Sequence, residues 1–302
     1  MAHQLNEKKD AVVVIGGVNM DIWGRPTGAL VMRDSNPGSV RMTPGGVGRN
    51  IAHNLRLLGL PVSFVTALGD DLVGRELLDA CGRLGLDMTL SLIRKGGHSS
   101  TYLFVTDAGG DMRVAVSDMD ICAALTPDYL EKLLPRFKGY RAMVIDANLP
   151  AESVGWLCSH ARMPLYADTV SAAKAARLQP HLKRLRALKT NAMEAAALTG
   201  EKDPERAAAR LAKLCPGRIF LSLGADGMIA AERDRLLHFP VYETEVVNTT
   251  GAGDAAAAAI VWADLRGYSL EATAQLAQLA GSITCRSSRA NNPDLSALPQ
   301  LV

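Results

Sequence analysis

What this chain lacks narrows its role before any motif is read. Its five cysteines, Cys81, Cys122, Cys158, Cys215 and Cys285, are odd in number, widely spaced and without a C-x-x-C pair, and its six histidines form no i, i+4 pair. That pattern argues against both a disulfide framework and a structural zinc site. Aromatic residues are only 5% of the chain and the formal net charge is only +2, with no basic block, so a nucleic acid polymer is not an expected partner. No run reaches the ~18 apolar residues that a membrane span needs. The polar start MAHQLNEKKDA carries no apolar stretch after its charges and is expected to be a short disordered leader on a cytoplasmic protein. The Walker pattern G-x-x-x-x-G-K-[ST] is missing, and the glycines after the first apolar run do not form G-x-G-x-x-G.

What remains is a chain of 302 residues, 48% hydrophobic, able to bury a large core around a small-molecule site. The segment AVVVIGG is a short β-branched run ended by Gly16 and Gly17, the pattern of a strand buried on both faces. Asn19 and Asp21 follow it, at the end of a strand where open α/β sheets bind ligands, although Asn19 reads equally well as a turn residue. Residues Trp23 to Thr43 have no helical period and contain Pro26, Gly28, Pro37 and Gly38, which predicts strands and turns projecting from the main sheet. Within them Asp34-Ser35-Asn36-Pro37-Gly38 is a strong turn former, and a plain surface turn would also explain it. Gly45 and Gly46 then lead into a helix whose Ile51, Leu55 and Leu58 share one face, with Asn50 at its start. Two alternating segments flank Asp107 to Asp111, a hairpin signal. Residues of about 22–44 and 98–119 are thus expected to form a small β-sheet lid that excludes water from the site.

From YRAMVIDANLP onward the chain alternates strand and helix with short loops, which predicts a mostly parallel, doubly wound sheet in a single domain over residues 1–302. Strand ends at Asn148 and Asp168 point to the site. RIFLSLGADGMIAAE reads as strand, glycine turn and strand, and the rest of the chain as helical, apart from an extended YETEVVN with apolar residues at every second position.

That extended segment opens into Asn248-Thr249-Thr250-Gly251-Ala252-Gly253-Asp254 and an alanine-rich run, the best helix-forming composition there is. Glycines at a helix N-terminus leave unpaired backbone N–H groups and a positive dipole end open to an anion, so Gly251, Ala252 and Gly253 make an anion cradle. Asp254 is either an ordinary first-turn acid or a base that takes the proton of an attacking hydroxyl beside a bound phosphate. Asn191 and Glu194 suit a capping box as well as a nucleotide site. Ser222, Gly224 and Gly227 suit a hairpin as well as a phosphate loop. Without a P-loop lysine, phosphate charge would fall to the helix start, to Mg²⁺, and to Lys189 or Lys174.

Gly45-Gly46 with Asn50, and Thr250-Gly251-Ala252-Gly253-Asp254 some two hundred residues later, resemble the two signatures of the ribokinase-like (PfkB-type) carbohydrate and nucleoside kinases. Asn248 stands where that family usually has Asp. The resemblance implies a three-layer α/β/α fold with a lid, ATP and Mg²⁺, and transfer of a phosphoryl group to a sugar or nucleoside. It implies Asp254 as base, Gly251 to Gly253 as anion hole, Asp21 on sugar hydroxyls with Asn19 supporting it, and Gly45, Gly46 and Asn50 against the ring. It further implies Asn191, Lys189, Ser222, Gly224 and Gly227 around the nucleotide, Glu194 on Mg²⁺ through water, a K⁺ site beside Asn248, and a homodimer through the lid. The DSNPG turn, NNPDLS at 291–296 and Asn248 itself resemble the pseudouridine-phosphorylating branch. In that branch Ser35 and Asn36 are the expected contacts to the base, with Asn148, Asp168 and Lys174 reaching it from the sheet. A non-catalytic sugar- or nucleoside-binding regulator on the same fold is the alternative of another class.

Overall fold

Strands apolar at every position need cover on both faces, and here they receive it. The computed structural model describes residues 10–301; all but the last two residues of the polar leader lie outside them. Its strands are β1 (Val12–Ile15), β2 (Asn19–Pro26), β3 (Gly38–Gly45), β4 (Val62–Val65), β5 (Ala67–Gly69), β6 (Leu92–Arg94), β7 (Thr101–Thr106), β8 (Met112–Asp118), β9 (Ala142–Asp146), β10 (Leu165–Asp168), β11 (Ala187–Asn191), β12 (Arg218–Ser222), β13 (Met228–Glu232) and β14 (Arg235–Phe239). The helices are α1 (Val47–Leu57), α2 (Leu72–Arg83), α3 (Pro127–Leu133), α4 (Ala151–His160), α5 (Ala172–Ala175), α6 (Ala192–Thr199), α7 (Pro204–Leu214), α8 (Ala252–Asp264) and α9 (Leu270–Cys285).

Eight strands form the main sheet in the order β14-β13-β12-β11-β10-β9-β1-β4, parallel from β12 to β4 with an antiparallel pair at the far edge. Alternate residues of β1 serve opposite faces. Val12 and Val14 join a core with Ile51 and Leu55 of α1 and the alanines of α8, whereas Val13 and Ile15 join Val154 and Leu157 of α4 and Leu211 of α7. This is a three-layer α/β/α fold, as expected. From β1 the chain steps to β4 on one side and later to β9 on the other, so the strand order reverses between β1 and β9. A crevice opens there at the carboxyl ends of the strands.

A second sheet, β3-β2-β7-β8, stands over that end of the fold. Its outer hairpins turn at residues 27–37 and at Asp107–Asp111, and β2 and β7 pair in parallel at its centre. Cross-strand partners share a face, and the two faces differ. Val40, Met42, Leu103, Val114 and Val116 lie 42–72% exposed on one; Asp21, Trp23, Tyr102 and Phe104 lie on the other.

Two expectations need correction. YETEVVN forms no strand. Pro240 follows β14 directly and offers no N–H to a ladder, and the segment's backbone bonds to α9 instead: the Val247 and Asn248 N–H groups both donate to the Cys285 carbonyl, at 2.9 and 3.1 Å. Val246 and Val247 are consequently exposed. The stretch after β13 reads as helical in sequence, yet Arg235–Phe239 form β14, completing a hairpin with β13. Among the described residues, no helix is long and apolar enough to cross a membrane.

Candidate active site

The carboxyl ends of β12, β11, β10, β9 and β1 lie side by side, and at ~4.8 Å per strand the row spans roughly 19 Å, room for two ligands end to end. At the switch point sits Asp146, 1% exposed, which sequence reasoning misses in favour of Asn148. Its carboxylate accepts from the Gly17 N–H (2.9 Å), the Asn148 N–H (2.9 Å) and the Asn148 Nδ2 (3.1 Å). Loss of hydration nevertheless raises its pKa. Lys174 on α5 donates to Asn148 Oδ1 at 2.6 Å, so Asn148 and Lys174 belong to one chain of bonds ending on Asp146.

Next in the row, Asp168 Oδ1 accepts from the Val170 N–H (2.8 Å), while Oδ2 faces Lys189 Nζ at 3.5 Å. Burial alone would lower the Lys189 pKa, but Asp168, Glu194 and Asp254 outweigh it and hold the ammonium above its ordinary value. This lysine lies directly against the start of α8, since a Cβ on Gly253 would stand 2.6 Å from its Nζ. Gly251, the residue capping α8, has φ 83°, and any side chain there would strike the Ala290 carbonyl. The glycines therefore admit a lysine on one side and a neighbouring loop on the other; the Ala252 N–H donates to the Thr249 carbonyl at 3.3 Å.

Asp254, in the first turn of α8, keeps some solvent contact. Its carboxyl is enclosed enough that loss of hydration, reinforced by Asp168 and Asp146, pushes its pKa up to about 7 against the pull of Asn50 and Lys189. Asn50 Nδ2 donates to Asp254 Oδ2 at 2.8 Å, and Asn50 Oδ1 accepts from Arg49 at 2.9 Å. A guanidinium can only donate and a carboxylate only accept, so the amide between them has one possible orientation. Arg49 is tied in turn to Asn291 Oδ1 (2.7 Å), and Asn291 Nδ2 donates to the Asn50 carbonyl (3.1 Å) and to Asn54 Oδ1 (2.9 Å). Sequence reasoning misses Arg49 and, except as part of a string, Asn291, because only the fold brings them to the base. His53 is held neutral beside them, its pKa pushed down to about 4 by burial and by Arg49.

The lid contributes Asn19 and Asp21 from its own strand β2 rather than from the loop after β1. Asn19 Nδ2 donates to Asp21 Oδ1 at 2.6 Å, and Gly45, opposite Asn19 on β3, has no side chain that would collide with the Asp21 carboxylate. Burial raises the Asp21 pKa, partly offset by Asn19 and by Arg49. Gly46, at φ 101°, passes close to the Gly17 carbonyl and opens α1. Ser35 and Asn36 are not gathered here. They lie in the exposed tip of the lid, where Asn36 binds its own turn, accepting from the Val31 N–H (2.7 Å) and donating to the Val31 and Asp34 carbonyls (2.9 Å each).

At the other end of the row, Asn191 and Glu194 do form a capping box. Glu194 Oε2 accepts from the Asn191 N–H (3.0 Å) and from Thr169 Oγ1, and Oε1 accepts from Asn191 Nδ2 (2.7 Å). A carboxylate offers about four lone-pair sites, so one is left, which suits contact to Mg²⁺ through water and not direct bidentate ligation. Among the described residues no group of three acidic, histidine or cysteine side chains could cage a metal. Ser222 pairs with Asn191 across the sheet and donates to the Thr190 carbonyl at 3.1 Å. Gly224 and Gly227, at φ 65° and 94°, make the turn into β13. Potassium fits poorly: Asn248 Nδ2 donates to the Ser288 carbonyl (3.2 Å), occupying the kind of oxygen such an ion needs, and Asn248 brings no charge.

Comparison with known proteins identifies the family. Residues 9–297 match the pfkB family of carbohydrate kinases. The chain is 36% identical to the pseudouridine kinase of Escherichia coli, over 96% of its own length and 95% of that protein's. Among solved structures it resembles a carbohydrate kinase from Agrobacterium tumefaciens (TM-score 0.82, 29% identity, covering 97% and 98% of the two chains). It also shares the fold of an Arabidopsis thaliana ribokinase complexed with ribose and ATP (TM-score 0.80, 20% identity, 95% and 97%). The chain therefore belongs to the pfkB carbohydrate kinase family, phosphotransferases acting on an alcohol group.

Proposed function

We propose that this kinase transfers the γ-phosphoryl group of ATP to the 5′-hydroxyl of pseudouridine. The observation that carries the reading is the meeting of Asp254, a carboxylate poised near neutrality, with a glycine-opened helix start against which Lys189 is packed, in a chain similar over nearly its full length to a pseudouridine kinase. Asp254 accepts the proton of the attacking hydroxyl. The N–H groups at Gly251, Ala252 and Gly253, with Lys189, take up charge on the transferred group. Asp21, oriented by Asn19, holds the ribose diol, and Asn50 and the Gly45-Gly46 backbone hold the ring. Asn191, Ser222, Gly224 and Gly227 border the nucleotide. Glu194 would hold Mg²⁺ through water, and the ion would supply screening of the donor's phosphate charge.

The bare aliphatic face of the lid supports a homodimer through that sheet, because apolar surface of this kind is favourably removed from water. Placing lysine at both Val40 and Val116 should convert a dimer to monomers in sedimentation; a monomeric parent would end this part of the reading. The activity itself is tested by ADP release with ATP and Mg²⁺ across pseudouridine, uridine, ribose and fructose. A clear preference for pseudouridine is expected. Equal use of ribose or fructose overturns the acceptor, and no turnover with any acceptor favours a binding protein.

A further inference from the structure

A lid strand alternates its side chains, so Trp23 stands on the same face of β2 as Asp21, about 7 Å further along at ~3.4 Å per residue. Its cross-strand partners are Phe104 on β7 and Arg41 on β3, while Asp21 is opposite Tyr102. Three of the chain's fourteen aromatic residues thus gather on the face that carries the sugar-binding carboxylate. The Trp23 and Phe104 rings lie 6.5 Å apart with their planes 18° from parallel, in an offset-stacked arrangement. The Trp23 indole N–H donates to Thr106 Oγ1 (3.1 Å), which fixes its plane, and the Arg41 guanidinium carbon sits 5.5 Å from the indole centroid. All three rings keep part of their surface open.

For an acceptor with its diol on Asp21, a C1′ substituent that extends along β2 would meet Trp23, the next residue on that face. The step from Asp21 to Trp23 is about the separation between the diol edge of a ribose and the ring it carries. Every base offers a π-face to such a surface, and a nearby guanidinium adds a donor for ring carbonyls. The lid tip is badly placed to meet the base. Ser35 and Asn36 lie beyond Pro26, roughly 17 Å along the strand from Asp21, and the Asn36 amide is already engaged.

We propose that Trp23 and Phe104 form the platform on which the base of a nucleoside acceptor lies, and that this platform, not the polar tip, separates nucleosides from free sugars. The inference rests on the nucleoside reading of the acceptor. It is tested by kcat/KM for pseudouridine and for ribose in the parent enzyme, Trp23→Ala and Phe104→Leu. Each variant should lose roughly ten- to a hundred-fold with pseudouridine, the worth of a base–aromatic stack, and little with ribose, which never reaches the rings. An equal loss with both acceptors, or no loss with either, overturns the platform, since then the rings merely hold the lid together. A parent enzyme that prefers ribose overturns the nucleoside reading instead, so the two failures are distinguishable. Pseudouridine, and not ribose, should also perturb the fluorescence of Trp23, a change that Trp23→Phe must abolish.

Discussion

The two sheets of this molecule solve opposite problems. In the main sheet β1 is 0% exposed along its whole length, with core on both faces. In the lid the same residue types, valine and methionine, stand in the open. Enclosure gives the main sheet control of charge: burial strips hydration from Asp146 at its rim and raises its pKa. Exposure gives the lid two separate working surfaces, one polar-aromatic toward the cleft and one aliphatic away from it. Chemistry is therefore expected to reside at the rim of the rigid sheet and selectivity on the open one.

The sharpest way to break that contrast is to compare truncations. Phe220→Ala, at a fully buried position on β12, should cost about 3–5 kcal/mol in denaturant unfolding. Val116→Ala on the lid should fall within about 0.5 kcal/mol. A cost at Val116 approaching that at Phe220 would mean its face is covered in solution.

Next in size is Asp254→Asn, expected to lower kcat by roughly 10²-fold or more with acceptor binding nearly intact. Activity within a few-fold of the parent would leave Asp254 as a helix-terminus acid only. The same substitution should raise thermal stability. The folded-state pKa of about 7 lies above the ordinary 3.8, so the fold favours the protonated form; that contribution is complete below about 3.8 and is lost as pH rises through about 7. The gain in Tm for Asp254→Asn should accordingly be absent in acid and largest above neutrality. For the parent enzyme, kcat should fall as pH drops below about 7, where the base becomes protonated.

A smaller effect is expected from Asn291→Ala. Releasing Arg49 lets the Asn50 amide turn, and losing its N–H donor raises the Asp254 pKa further, so the acid limb of the rate profile should move to higher pH while KM for ATP holds. An unmoved limb would reduce Asn291 to a packing role. The smallest expected effect is none: rates in Na⁺, K⁺ and a large organic cation at fixed ionic strength should be equal, given the Asn248 bond to Ser288. Stimulation by K⁺ alone would contradict that reading.

How much of this is legible in the sequence depends on how local each signal is. Strands such as Val12–Ile15 and the Gly251–Asp254 helix start declare themselves within a few residues, because burial on both faces and an open helix end each demand a distinct composition. The lid hairpins are legible through alternation and turn formers. The three-residue β5 and β6 carry too little pattern, and YETEVVN carries a false one, since its partner is a helix whose position no local window reveals. Arg49 looks like any polar residue on a helix until Asn291, far along the chain, closes on it. The capping geometry at Asn191 and Glu194 is equally readable, and the structure adds that a cap and one remaining lone pair coexist there.

One feature of the lid also bears on how the molecule assembles. Its central pair joins β2 to β7, with Met20 opposite Thr101, so the strand that opens the first hairpin waits for α1, β4, β5, α2 and β6 before its neighbour arrives. Loop closure of that length must be met before the ladder returns any stabilisation. The lid should form late and open first, and its amides should exchange with solvent hydrogen at a lower free energy than those of β1 and β9, giving the cleft a door that swings without loosening the wall it hangs on.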